Sequence, residues 1–263
     1  MGSGIAAVSR FAREVPELVD FHHFEISREV VDFATELAVA EIKNFRDAPE
    51  DMDETFKVPR GIRLPGARMT MVIEGTDTVL SLRELGDEIH AYGHRRSCPQ
   101  GLRLFRIHSD GRLFVNGEVL SGMAGWGVAA RVAFILSLIS EPRILRRSPA
   151  GSRQQRRAIQ RGFGFAVDAW TRVTWDLSKE TVAKVSHDPT FHKMPLHWRR
   201  GHFRRAAPHF KGAIQRPDAL REEDRGLWWQ WIEGQWVGHP AFGLKRSVHA
   251  PRLSGGDLAR RAV

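Results

Sequence analysis

GMAGWGVAARVAFILSLIS, residues 122–140, is apolar around its whole circumference and stops at Glu141-Pro142. Its length approaches the roughly 20 residues a bilayer span needs. Arg131 sits at its centre and three glycines lie at its start, and a charge held mid-membrane is costly. The stretch therefore reads as a buried core helix over Gly122–Ile139 rather than a membrane span. A helix apolar on every side needs cover on every side, so the elements around it must supply the layers of an α+β fold.

Working toward the N-terminus, LRLFRIH, a turn at Asp110-Gly111, RLFV, a turn at Asn116-Gly117 and EVL read as a small antiparallel meander. Ser81 is expected to open a short helix to about Tyr92, with Leu82, Leu85 and Ile89 on one face. ARMTMVIEG reads as a strand. Ser27 is placed to cap a helix in which Val30, Val31, Ala34, Leu37, Ala38, Ile42 and Phe45 recur at three- and four-residue spacing. Between them, five acids and no base fall within Asp47–Glu54, a solvated loop or a mask for a basic surface elsewhere.

Toward the C-terminus, Arg143–Arg161 holds seven arginines and no acid. It reads as a linker hinged at Ser148, Pro149 and Gly151, followed by a short basic helix. FAVDAWTRVTWDL and LHWRRGHFRR alternate as strands do, WWQWIEGQWVG as a turn between two strands. The expected organisation is an acidic α+β domain over 1–141, an arginine-rich connector over 142–161, a basic Trp/His-rich β-domain over 162–253 and a loose tail over 254–263.

Across 263 residues, 42% are hydrophobic and 27% charged, which excludes a disordered, collagen-like or disulfide-stapled chain. Charge is divided unevenly: 16 Lys+Arg against 21 Asp+Glu leaves −5 over residues 1–141, and 24 against 10 leaves +14 over 142–263. Anionic partners are the direct implication for the second half. Cys98 stands alone, so the chain has neither a disulfide nor a cysteine-rich zinc site of its own, and a reducing interior is the expected setting. The N-terminus reaches Arg10, Arg13 and Glu14 too soon for a signal-peptide core.

Read as one strand, LHWRRGHFRR places Trp198, Arg200, His202 and Arg204 on one face and His197, Arg199, Gly201 and Phe203 on the other. Five of the eight tryptophans lie between Trp198 and Trp236. Arginine interleaved with aromatic rings suits phosphate contact with base stacking, the pattern for single-stranded nucleic acid or an RNA loop. The competing reading makes the same tryptophans the core of a small β-domain.

This segment, with LSLISEPRI and the arginines upstream and WVG and Gly243 downstream, resembles an uncharacterised family of bacteriophage and prophage proteins carrying a His-x-Arg-Arg-Gly-His-hydrophobic-Arg segment. The resemblance covers about residues 130–250. It departs from the family where Ser140-Glu141 replaces an asparagine-threonine pair before the proline. It implies a setting in the cytoplasm of a bacterial host cell and no known activity.

Other constellations are weaker. His90 and His94, with Glu88, have the spacing of a helical metal pair but lack the glutamate that follows the first histidine in zinc proteases. His22, His23 and Glu25 form a similar loose set, and His187, His192, His197 and His202, five apart, share neither a helix face nor a strand face. Asp218, Glu222, Glu223 and Asp224 read as an exposed helix start. Phosphate-cradling glycine loops and the nucleophile-elbow serine are missing. No metal or cofactor is expected.

The leading expectation is nucleic-acid association with little sequence preference, through Arg146, Arg147, Arg153, Arg156 and Arg157 on the connector and Trp198, Arg199, Arg200 and Arg204 on the strand. One alternative is a small ribonuclease or toxin-like hydrolase with His202 as acid or base and Arg200 stabilising charge. Another is a virion or partner-protein component docking through the acidic half.

Overall fold

The computed structural model describes residues 3–46, 58–74, 79–95, 97–117, 122–141, 143–166, 168–188, 193–215, 223 and 226–245. The chain opens with α1 (Ser3–Ala12), a 3₁₀ turn over Pro16–Asp20, β1 (His22–Ile26) and α2 (Arg28–Arg46). Strands β2 (Arg68–Ile73), β3 (Val79–Leu85), β4 (Glu88–Arg95), β5 (Cys98–His108) and β6 (Leu113–Val115) precede α3 (Gly122–Ile139). Then come β7 (Leu145–Pro149), α4 (Arg153–Phe163), β8 (Trp170–Trp175) and α5 (Lys179–His187). The C-terminal part holds β9 (Pro195–Arg199), β10 (His202–Arg205), β11 (Ala213–Gln215), β12 (Trp228–Ile232), β13 (Gln235–Val237) and β14 (His239–Leu244).

The fold is α+β. Eight strands form one sheet in the order β6-β5-β4-β3-β2-β1-β8-β7, with β1 parallel to both neighbours and every other pair antiparallel. One face carries α2 and α3, and the fully buried Phe33, Phe134 and Leu37 belong to that core. On the other face Phe11 of α1, Leu18 of the 3₁₀ turn, Ile159 of α4 and Phe165 just beyond it form a second buried cluster with Val72 of β2, Val79 of β3 and Trp170 of β8. Along α3, as expected of the apolar run, residues 132–136 are all buried, and Arg131 occupies a half-exposed position. No helix among the described residues is long and apolar enough to cross a membrane.

Several sequence expectations are corrected. Ser81–Tyr92 is not a helix: β3 and β4 form a hairpin in which Leu85 pairs with Glu88 across a two-residue loop. Gly86 there has φ +62°, the left-handed conformation such loops demand. Leu82, Leu85 and Ile89 matched the helical spacing only because the window ran through that turn. The division at 141/142 is not where the sheet divides, since β7 and β8 extend it beyond residue 142. The linker portion of the arginine stretch is β7 itself, an edge strand whose Arg146, Arg147 and Pro149 discourage further strand pairing. Ser27 holds the cap position of α2, its carbonyl accepting from the Val31 amide at 3.2 Å, but its buried hydroxyl has no hydrogen-bond partner among the described residues. The acidic run 47–54, EVL at 118–120, Asp218, Glu222, Asp224 and the tail lie outside the described residues.

After α5, β9–β10 and β12–β13 run as one bent antiparallel ladder. His202 pairs with Ile232 and Arg199 with Gln235, the same register on both sides of a break at Arg200-Gly201 and Glu233-Gly234. Both glycines are required by close approach: a Cβ on Gly201 would lie 2.4 Å from the Trp231 ring, and one on Gly234 2.5 Å from the Trp198 ring. Gly234→Ala is expected to destabilise the chain by about 1–3 kcal/mol, as overpacking does. Chemical denaturation followed by tryptophan fluorescence reads the cost, and an unchanged midpoint would mean that Trp198 has room to move.

Candidate nucleic-acid interface

At one edge of the main sheet, β7 and α4 present the arginines of the connector. Ser152 caps α4 in a reciprocal capping box with Gln155, and Gly164 ends it in the left-handed conformation. This fixes Arg153 and Arg157 on exposed turns of an eleven-residue helix. Arg146 is exposed on β7, and Arg147 sends Nη2 to the Ile139 carbonyl at 2.6 Å, closing the C-terminus of α3. Arg156 reaches back to the Gly151 carbonyl at 2.9 Å through Nη1. Among the described residues no carboxylate lies within 4.0 Å of Arg146, Arg147, Arg153, Arg156 or Arg157. Some guanidinium groups elsewhere are paired, Arg63 with Glu84, Arg83 with Glu17, Arg106 with Glu88 and Arg172 with Glu74.

The second cluster behaves differently. Arg200 donates to Glu41 on α2 through Nη2 at 2.6 Å and Nε at 3.1 Å, with side chains 12% and 0% exposed. Its guanidinium is committed inside the fold, so it neither joins a phosphate-binding ladder nor stabilises charge beside His202. Trp198 is buried between Phe134 at 6.0 Å and Trp236 at 5.1 Å, ring centre to ring centre, and is core rather than a stacking platform. Trp236 completes that cluster with an indole N–H donated to Ser137 Oγ at 2.9 Å. His202 faces the Arg200 carbonyl through Nδ1 and Arg199 Nη2 through Nε2, both at 3.3 Å. A carbonyl only accepts and a guanidinium only donates, so Nδ1 faces an acceptor and Nε2 a donor, and the ring bridges the kink.

Beyond the kink, β10, β12 and β11 form a thin three-stranded sheet in which all five β12 residues are only half-buried. Register brings Phe203 opposite Trp231, and Arg205 and Ile214 opposite Trp229, on one face. Phe203 and Trp231 meet edge to face at 4.9 Å, and Arg60 lies over the Trp231 ring at 5.3 Å. Arg204 is exposed on the opposite face and bonds Gln230 at 3.2 Å. Phe203, Arg205 and Arg60 were missed by the sequence reading. Alternation through Gly201 signals the first two, but nothing local signals Arg60, which arrives from more than 170 residues away.

Also missed was a buried polar row beneath α1 and α4. His23 Nδ1 meets Thr70 Oγ1 at 2.7 Å, while Ser81 Oγ meets His94 Nε2 at 2.7 Å, with His94 Nδ1 on the Pro99 carbonyl at 2.8 Å. All four residues are buried, so the Ser81–His94 contact is structural. Burial lowers the His94 pKa, against the bond to Pro99 that opposes it. His90 is held instead by Glu88 at 2.9 Å. On a strand the two histidines stand about 13 Å apart. No group of three metal-ligating side chains occurs among the described residues.

Comparison with known proteins finds no matching family model, no matching curated protein and no matching solved structure.

Proposed function

We propose that this chain associates with nucleic acid, single-stranded or RNA, through backbone phosphates and with little sequence preference. The observation that carries the reading is the β7–α4 edge, where five arginines have no carboxylate within 4.0 Å among the described residues. Crowded guanidinium groups that make no ion pair are stabilised by phosphate oxygens, and the arginines of this edge outnumber its acids, Asp176 within electrostatic reach of Arg146 and Asp168 beside Arg147 and Arg156. Arg199 and Arg204 are further exposed arginines on the C-terminal ladder, and the half-exposed aromatic face of the small sheet offers rings on which bases stack. Arg200 and Trp198 are left out of this interface. The resemblance of LHWRRGHFRR to phage-encoded proteins belongs to the same proposal.

The test is the affinity for a labelled single-stranded RNA at several salt concentrations. Engagement of about six arginines gives a log–log slope near −4, at roughly −0.7 for each phosphate neutralised on a single strand. Arg153→Gln with Arg157→Gln is expected to flatten that slope by about 1.4. A salt-independent affinity, or none, refutes the reading.

A further inference from the structure

The β7 edge also holds a pocket of about 270 Å³, lined by Arg147, Ser148, Arg156, Asp168, Trp170 and Thr171. Residues from both faces of the sheet meet there. Arg147 and Thr171 belong to strand positions that alternate with the neighbouring Ser148 and Trp170. Two features separate it from a surface groove. The first is that its arginines are already positioned, Arg147 by the Ile139 carbonyl and Arg156 by the Gly151 carbonyl. No carboxylate of the described residues pairs with either. The second is a pair of buried donors without an acceptor among the described residues, the Arg156 Nε–H and the Trp170 indole N–H, on two residues that line the pocket. Trp170 is 3% exposed, and its ring is fixed by stacking on His23 at 4.2 Å. Both atoms are enclosed, so an acceptor-rich ligand satisfies them only by pressing into the pocket wall.

We infer that this pocket binds a phosphorylated sugar. Arg147, Arg156 and the Trp170 N–H supply donors for phosphate oxygens. Asp168 would repel a bare dianion but accepts from a sugar hydroxyl, and Ser148 and Thr171 can both donate and accept. The proposal rests on the reading that the β7–α4 edge takes phosphate, and it names the group received there. That group is either a free sugar phosphate or the 5′-phosphorylated end of a strand.

The test is calorimetric titration of the full chain with ribose 5-phosphate, inorganic phosphate and ribose. Alongside, a single-stranded oligonucleotide with a 5′-phosphate is compared with its 5′-hydroxyl twin. Trp170→Phe keeps the ring and removes only the N–H. Arg156→Gln is the second variant should the first fold poorly. The expected result is binding of ribose 5-phosphate but not ribose, weakened at least tenfold by either variant. A free ligand is indicated if the 5′-phosphate adds nothing to the oligonucleotide. A strand end is indicated if it adds tenfold or more and Trp170→Phe abolishes the gain. If the 5′-hydroxyl oligonucleotide binds with a steep salt dependence while ribose 5-phosphate and the 5′-phosphate have no effect, the pocket assignment is overturned and the surface reading stands. If none of the probes binds, both fall.

Discussion

Glu41→Leu is expected to lower the unfolding free energy by about 3–5 kcal/mol, the cost of leaving a buried charge without its partner. Arg200 is 12% exposed and donates two hydrogen bonds to a carboxylate that is fully enclosed on α2. With Glu41 gone, the guanidinium must be carried in the interior unpaired or swing out and pull the kink of the ladder with it. Arg200→Met should cost about as much for the mirror-image reason. The double variant Glu41→Leu/Arg200→Met is expected to recover most of the loss, since apolar replacement of a whole buried pair is often neutral or better. Urea denaturation of the four proteins closes the cycle. Single variants costing less than about 1 kcal/mol would mean that the pair behaves as a surface ion pair and does not fasten the C-terminal hairpin to α2.

Mild acid is expected to destabilise the fold well before the ordinary carboxylates titrate. Burial is the main reason that the His23 pKa falls to about 3, with the neighbouring His22 charge adding to it, while the unfolded chain titrates near 6.5. The sign follows from linkage. Below pH 6.5 the unfolded state binds a proton that the folded state refuses, so stability falls with falling pH by about 1.4 kcal/mol per unit once the unfolded histidine is fully charged. The loss continues down to the folded pKa near 3. His94 and His239, both lowered chiefly by burial, act in the same direction. Glu25 opposes them: burial raises its carboxyl pKa, Arg172 counters that and Glu74 adds to it, so its protonation favours the folded state on acidification. Stability measured at pH 7, 6, 5 and 4.5 should show the decline, and His23→Asn should reduce its slope by close to one proton. An unaltered slope in that variant would mean that His23 accepts a proton in the folded protein.

Helices α2 and α3 were legible because their burial obeys a single local rule, apolar residues at helical spacing for one and an apolar run on all sides for the other. The β5–β6 hairpin was legible because Asp110-Gly111 marks its turn, and Gly111 adopts φ +89°. The β3–β4 hairpin was not, since seven-residue spacing among Leu82, Leu85 and Ile89 is shared by a helix face and by two strands folded back at Gly86. At the candidate site, the sequence displays residue type but not environment. Arg153 and Arg157 are exposed as expected, whereas Arg200, in the same arginine-rich vocabulary, is enclosed with Glu41 from 159 residues away.

The sequence by itself determined the α+β class, the buried helix at 122–139, the opposite charges of the two halves and the acid-free arginine stretch, because composition and periodicity are local properties. Tertiary structure alone decided which arginines remain at the surface. It added β7 to the edge of the main sheet, sank Trp198 between Phe134 and Trp236, closed Arg200 on Glu41 and gathered a pocket around Arg147, Arg156 and Trp170. A guanidinium's role depends on the acceptors that folding brings within hydrogen-bond reach, and those partners are distant in sequence.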